Sequence, residues 1–402
     1  MKSKCVLVVS LLCWSTVLVK FGNSVPGISF LTKILFSTLI WIAVLVFPKK
    51  YIIHNDFQTL GKWLLYLLLF LGLWQIGVSI FNDDPRLYMG TNKYLTLFFN
   101  NYTSFIFIPP LFAFLAMQKN IIFIIMQGLK KFLMISILLF PIHNNFHQTP
   151  FYSIPFFVLS NNRLRFLILV GGLLTCICFW EGSRTSLITL FLSINSIILA
   201  YYIKKDYLIK LFCLIFLVLP FLLFIPLLYS NDESIFVQLG NEVSGKSTTE
   251  DLSSDTRTFL YKEMAEDLSR TESWIMGKGA FSHYHSDFFY QVGGGDFYER
   301  MQSEVTFLNF LLHGGIVYTV CYNLLIFYAI FRALKFGKSK FSKSIALLLS
   351  SYFFCQFFGE YIGCNLLHLV LFVLVGFCLS KTFLAYTDND IKRIYYESSI
   401  HA

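Results

Sequence analysis

Two arginines and one glutamate stand where long apolar runs of this chain meet polar stretches. Arg184 lies in EGSRTSL, and Arg257 opens the amphipathic stretch RTFLYKEMAEDLSR of the longest polar segment. Glu304 stands at the head of the next apolar run, EVTFLNFLLHGGIVY. A guanidinium binds phosphate oxygens through its planar fork, and a carboxylate can accept a proton. The three residues together could bind a phosphate and move a proton at the edge of a membrane.

Four further side chains could support such a site. They are Glu181, Ser183, Arg270 and His313. A structural interpretation competes for Arg184, because an arginine at the end of a membrane helix can extend to lipid phosphates and pair with Glu181. The start of a helix favours anions, which supports the binding interpretation for Arg257. Spacing alone leaves open whether the two arginines and Glu304 meet.

Two other patterns are weaker signals. GNEVSGKS (240–247) fits the phosphate-loop pattern, but the residues after it have no apolar helical face, so we expect a chance match. His283 and His285 could supply two metal ligands, but a zinc site needs at least three from the protein and no other is evident. We therefore expect neither a metal nor any other cofactor.

The chain around these residues is too apolar for a soluble domain. Of its 402 residues, 56% are hydrophobic and 14% are charged, and soluble domains carry about 25% charged residues. The sequence predicts an all-α, polytopic integral membrane protein with about 12 transmembrane helices, each crossing roughly 30 Å of hydrocarbon, and one large outer loop. The first run has no small-residue cleavage site, so we interpret it as a span and not a signal peptide. The predicted spans lie near 4–19, 28–47, 63–81, 95–117, 132–148, 149–162, 166–181, 185–203, 209–229, 305–331, 344–360 and 363–383.

Basic residues predict the orientation. The termini and alternate loops hold 21 of the 32 basic residues, and lysine and arginine concentrate in cytoplasmic loops. Both termini are therefore predicted to be cytoplasmic. The chain divides into about nine spans in 1–229, a large extracytoplasmic loop in 230–304 with a helix near 256–270, and about three spans with a cytoplasmic tail in 305–402. Arg184, Arg257 and Glu304 then face the same outer side.

Cysteine positions and net charge exclude other classes. All nine cysteines lie in or beside apolar runs, which is typical of small buried residues and not of a disulfide framework. The net charge of +9 follows from the predicted cytoplasmic loops, so nucleic acid is not expected as a partner.

Taken in order, these stretches resemble the O-antigen polymerase and O-antigen ligase superfamily of bacterial membrane glycosyltransferases. The resemblance rests on GSRTSL at the start of a span, RxxxY and then GKGAF in a long outer loop, and ExxFLNFLLHGGI at the next span. It covers roughly residues 150–335.

The resemblance implies a reaction and roles for the three residues. Such enzymes use glycans carried on undecaprenyl pyrophosphate at the outer leaflet of the bacterial cell membrane. The resemblance implies that Arg184 and Arg257 bind the pyrophosphate, and that Glu304 positions or deprotonates the acceptor hydroxyl. The expected partners are the lipid-linked donor and acceptor, membrane lipids, a chain-length regulator and a flippase.

The specific reaction stays open between three hypotheses. O-antigen ligases carry a His-Asn pair where this chain has Glu304 and Val305, which favours a polymerase of lipopolysaccharide O-antigen or capsule. The alternative is a ligase that transfers glycan to a lipid or protein acceptor. A flippase or transporter of lipid-linked oligosaccharides is the third hypothesis, but transporters tend to keep charges at mid-membrane and to show internal repeats.

Overall fold

The computed structural model describes residues 59–81, 101–114, 205–225, 258–287, 299–359 and 366–400, with short pieces at 38, 188, 191–192, 195–196 and 198–201. Most of these residues are helical. The elements are α1 (Thr59–Phe81), α2 (Asn101–Ala113), α3 (Asp206–Phe224), α4 (Thr258–Arg270), β1 (Tyr284–His285), β2 (Glu299–Arg300), α5 (Thr306–Phe336), α6 (Lys340–Cys355), α7 (Leu366–Leu379), α8 (Lys381–Ala385) and α9 (Asp388–Ile400).

Three helices in the described part of the chain, α1, α3 and α5, are long and apolar enough to cross a membrane. Each overlaps a predicted span, because an unbroken apolar run is the direct sequence signal of a membrane helix. The shorter helices α2, α6 and α7 overlap three further predicted spans. The remaining predicted spans lie mainly outside the described residues, so the count of about 12 stays a prediction.

Helix α5 lies at the centre of the described helices and packs against α1 and α6. The Phe310 ring lies 4.5 Å from the Tyr322 ring and 5.9 Å from the Phe105 ring of α2, measured between centroids. The buried hydroxyls of Tyr322 and Tyr352 lie 2.9 Å apart and satisfy each other, since an unpaired hydroxyl in an apolar interior is costly. Packing on several sides therefore fixes the position of α5 and of the residues at its head.

Several predicted cytoplasmic segments meet at one end of this bundle. The Asp206 carboxylate at the start of α3 lies 2.5 Å from the Lys343 amine on α6. The Lys338 backbone N–H donates to the Leu384 carbonyl at 3.1 Å. The start of α3, the turn between α5 and α6, and the C-terminal helices therefore lie together, while α4 contacts the opposite end of α6. The side of the membrane on which each end lies stays a prediction.

Cysteine labelling would test this orientation. Glu266 on α4 and Lys338 beyond α5 are both exposed, so a cysteine at either position is accessible from its own side. We expect Glu266→Cys to react with a membrane-impermeant thiol reagent in intact spheroplasts, and Lys338→Cys to react only after permeabilisation. The parent protein gives the background, to which the buried Cys213, Cys321 and Cys355 should add little. The reverse labelling pattern would overturn the orientation.

Candidate functional site

The start of α4 and the head of α5 are both bound to the end of α6. The Thr306 backbone N–H and hydroxyl donate to the Gly359 carbonyl at 3.0 and 2.8 Å. The Tyr261 hydroxyl, buried on α4, donates to the Phe357 carbonyl at 2.6 Å. Carbonyls at a helix end have no partner within the helix, so these bonds satisfy them. Helix α4 is thereby held at the head of α5.

Some of the predicted site residues lie at this junction, and others lie outside the described residues. Glu304 lies two residues before α5, and its side chain is 43% exposed. Arg257 directly precedes Thr258, the first described residue of α4. Arg257 itself lies outside the described residues, as do Arg184, Glu181, Ser183 and the phosphate-loop lookalike at 240–247.

Helix α5 is broken at Gly315, where φ is 66° and ψ is −169°. The break separates a short outer half, 306–314, from a long half, 316–336. Backbone groups at such a break have lost their helical partners, and each unsatisfied group costs several kcal/mol in a membrane.

Residues 274–281, which we call the inserted segment, supply the missing partners. The segment enters the break, and its backbone bonds to both halves of α5. The bonds run from Lys278 N to Leu312 O (2.8 Å), Gly279 N to His313 O (2.9 Å), Ile316 N to Trp274 O (2.8 Å) and Val317 N to Ile275 O (3.2 Å). The GKGAF and HGGI motifs, which are distant in the sequence, therefore meet inside the protein.

Glycines permit this close approach. Gly277 and Gly315 both have positive φ, at 69° and 66°, a region that other L-residues rarely adopt. A Cβ on Gly277 would lie 2.5 Å from the Gly315 nitrogen, and a Cβ on Gly315 would lie 2.3 Å from the Ile275 oxygen. A larger side chain at either position would separate the inserted segment from α5.

The other face of the inserted segment is bound to α1. The Ala280 backbone N–H donates to the Gln75 carbonyl at 3.1 Å, and the Phe281 N–H donates to the Ser79 hydroxyl at 2.9 Å. Gln75 and Ser79 are buried polar residues of a predicted span, and this contact explains the presence of Ser79. The inserted segment therefore joins two membrane helices.

His313 lies beneath the inserted segment. Its side chain is 1% exposed, and its Nδ1 atom lies 2.8 Å from the Ser282 hydroxyl and 3.0 Å from the Gly279 carbonyl oxygen. The histidine named as a possible supporting residue thus binds the segment that follows GKG, whereas Glu304 is exposed. His313 therefore supports the inserted segment from its buried side.

Two basic residues near the site are bound to one buried acid. The Arg270 guanidinium lies 2.7 Å from one oxygen of Asp267, and the Lys278 amine contacts the other. Asp267 is 3% exposed, and a buried carboxylate is stable only when such partners neutralise it. The Lys278 amine also donates to the His283 carbonyl at 3.1 Å. This cluster ties the inserted segment to α4.

A second polar cluster lies beside Glu304, and the sequence patterns did not single it out. Strands β1 and β2 pair antiparallel with Tyr284 opposite Arg300, and an Arg300 nitrogen lies 3.9 Å from a Glu304 carboxylate oxygen. Burial raises the pKa of Tyr284 to about 12, although the nearby Arg300 charge acts in the opposite direction. The Tyr284 hydroxyl therefore stays protonated at physiological pH. A basic residue four positions before Glu304 was the available signal, but strands of two residues have no readable pattern.

The described part of the chain is mostly helical, and the inserted segment closes a break in a helix that is long and apolar enough to cross a membrane. Residues 167–322 match the family model of the O-antigen ligase. The resemblance to the O-antigen ligase and polymerase superfamily is therefore confirmed, and with it a glycosyltransferase type of activity in a membrane. The matched range contains Arg184, Arg257 and Glu304 together with both interlocking glycine motifs. The comparisons with curated proteins and with solved structures gave no match.

Alanine substitutions would test the closed break. Gly277→Ala and Gly315→Ala should each destabilise the protein by about 3 kcal/mol or more, because a Cβ meets backbone atoms at a strained φ. Gly77→Ala on α1 is the matched control, since a Cβ there has nothing within 4 Å. The measurement is the fraction of monodisperse protein that survives heating in detergent. Equal survival of Gly315→Ala and Gly77→Ala would contradict the interlock.

Proposed function

We propose that this protein polymerises lipid-linked oligosaccharide repeat units of O-antigen or capsule at the outer face of a bacterial cell membrane. The observation that carries the proposal is the family match over 167–322, a range that holds the predicted phosphate-binding and proton-accepting residues. The exposed position of Glu304 at the head of a membrane helix, beside the outer helix α4, supports it.

The proposed reaction transfers a glycan from undecaprenyl pyrophosphate to the growing lipid-linked chain. An acceptor hydroxyl attacks the anomeric carbon of the donor, and the bond from that carbon to the pyrophosphate oxygen breaks. The hydroxyl proton passes to a base, and undecaprenyl pyrophosphate leaves with increased negative charge. Glu304 is the proposed base, because a partly exposed carboxylate can contact an acceptor that arrives from water.

The leaving pyrophosphate requires fixed cations that are not already neutralised. Arg270 and Lys278 both contact Asp267, so they are poor candidates for this role. Arg184 and Arg257 are the proposed pyrophosphate ligands, in agreement with the resemblance. Arg257 directly precedes α4, whose first backbone N–H groups favour an anion, and Tyr261 fixes this end of α4 to α6.

A ligase is the second candidate function within the same superfamily. The family model carries the name of the ligase, whereas this chain has Glu304 where the ligases keep a histidine. A carboxylate and an imidazole can each accept a proton, so both functions are compatible with a proton acceptor at this position. We favour the polymerase because this chain has Glu304 where the ligases keep a histidine. We propose that both termini lie on the cytoplasmic side.

The surface glycan of a strain lacking this protein would separate the candidate functions. Chains reduced to a single repeat unit indicate a polymerase. Loss of all attached glycan, with long lipid-linked chains accumulating, indicates a ligase and contradicts our proposal. Repeat units that remain on the cytoplasmic leaflet indicate a flippase and contradict both glycosyltransferase hypotheses.

Substitution of the arginines would test the pyrophosphate role. Arg184→Ala and Arg257→Ala should each lower the rate by about 10²–10³-fold, which is the usual cost of removing one preorganised charge stabiliser. Lysine should restore little activity at either position, because a point charge cannot reproduce the planar fork. Lys262→Ala, on an exposed site of α4, is the control and should retain activity. Rates are measured as polymer formed by purified enzyme, and equal losses in all three alanine variants would contradict the assignment.

Substitution of Glu304 would test the proton acceptor. Glu304→Gln should lower the rate by about 10²–10⁴-fold, since glutamine keeps the polarity but cannot take up the proton. Glu266→Gln, an exposed glutamate of α4, is the matched control and should stay close to the unmodified enzyme. The same polymer assay applies. Full-length polymer made by Glu304→Gln would remove this residue from the mechanism.

A further inference from the structure

Glu304 belongs to a small cluster whose basic member is Arg300. An Arg300 guanidinium nitrogen lies 3.9 Å from a Glu304 carboxylate oxygen. Direct charge-assisted hydrogen bonds have separations of about 2.7–2.9 Å, so this contact is an ion pair at longer range. The carboxylate oxygens therefore keep the capacity to accept a hydrogen bond from another hydroxyl.

Arg300 is itself held from the buried side. It pairs in register with Tyr284 of β1, and its positive charge lowers the pKa of the buried Tyr284 hydroxyl. Tyr284 is 1% exposed, and its strand packs against α4. The backbone of Arg300 is thus fixed by its pairing with a buried residue, and its guanidinium lies near Glu304.

The charges around Arg300 disfavour a direct role in pyrophosphate binding. Two carboxylates, Glu263 and Glu304, raise the pKa of Tyr284, whereas the Arg300 charge lowers it. Among the described residues, carboxylates therefore already offset the Arg300 charge, which weakens its attraction for an anionic leaving group. Arg300 is better placed to orient a carboxylate than to stabilise a phosphate.

We propose that Arg300 is a positioning residue, which Tyr284 holds in place and which orients the Glu304 carboxylate toward the acceptor hydroxyl. This inference rests on the proposed role of Glu304. Orientation matters because displacement of a reacting group by about 1 Å can cost on the order of 10²-fold in rate. Arg300 acts through Glu304, so its effect depends on the presence of the Glu304 carboxylate.

A double-mutant cycle tests this dependence. The variants are Arg300→Gln, Glu304→Gln and the double variant, assayed as purified proteins in detergent. The substrate is the lipid-linked glycan extracted from a strain that lacks the protein. We expect Arg300→Gln to lower kcat by about 10²-fold with little change in KM, and the double variant to be no slower than Glu304→Gln alone. Residues that act as one unit are non-additive in this way.

Two further variants make the result specific. Arg300→Lys should retain most of the activity, because an ion pair at 3.9 Å needs the charge more than the planar fork. Lys262→Gln, an exposed basic residue of α4, is the control for loss of one positive charge. Arg300→Lys also keeps the test valid if Arg300→Gln does not fold.

Two outcomes would overturn the positioning role. Losses in Arg300→Gln and Glu304→Gln that multiply in the double variant would show that Arg300 acts on the substrate independently. Unchanged kcat in Arg300→Gln would show that Glu304 needs no such partner. Failure of the proposed function is a separate result, since the unmodified protein would then form no polymer from this substrate.

Discussion

A membrane helix cannot be interrupted unless something satisfies the backbone groups that the interruption exposes. In this protein α5 is interrupted at Gly315, and the inserted segment 274–281 supplies the missing hydrogen bonds to both of its halves. The close backbone approach leaves no space for a Cβ at Gly277 or Gly315. The fold and the candidate site both depend on this closure, because it joins the extramembrane segment to the membrane helices.

Glu304 and the start of α4 are both held at the same end of α6. The short outer half of α5 begins just after Glu304, and its first residue is bound to the end of α6 at Gly359. The same end of α6 holds Tyr261 of the outer helix α4. Glu304 and the start of an anion-favouring helix are thereby fixed relative to one another.

The sequence predicted what local patterns can encode. Apolar runs located the spans that overlap α1, α3 and α5, and an amphipathic stretch indicated a helix where α4 lies. The GKGAF and HGGI motifs were visible, but their contact was not, because it joins residues far apart in the chain through backbone atoms whose pairing no side-chain pattern reports. The pairing of Tyr284 with Arg300 was missed for a related reason, since it depends on strands of two residues.

Asp267 and Glu304 differ in how closely basic residues contact them. Asp267 is buried and binds Arg270 and Lys278, so those charges hold the inserted segment against α4. The Glu304 side chain is 43% exposed and lies at longer range from Arg300, so its carboxylate stays accessible to solvent. A buried acid needs close cations to offset its desolvation, whereas a partly exposed acid needs them less. The difference in burial between Asp267 and Glu304 therefore explains why Asp267 has two close cations and Glu304 has one at longer range.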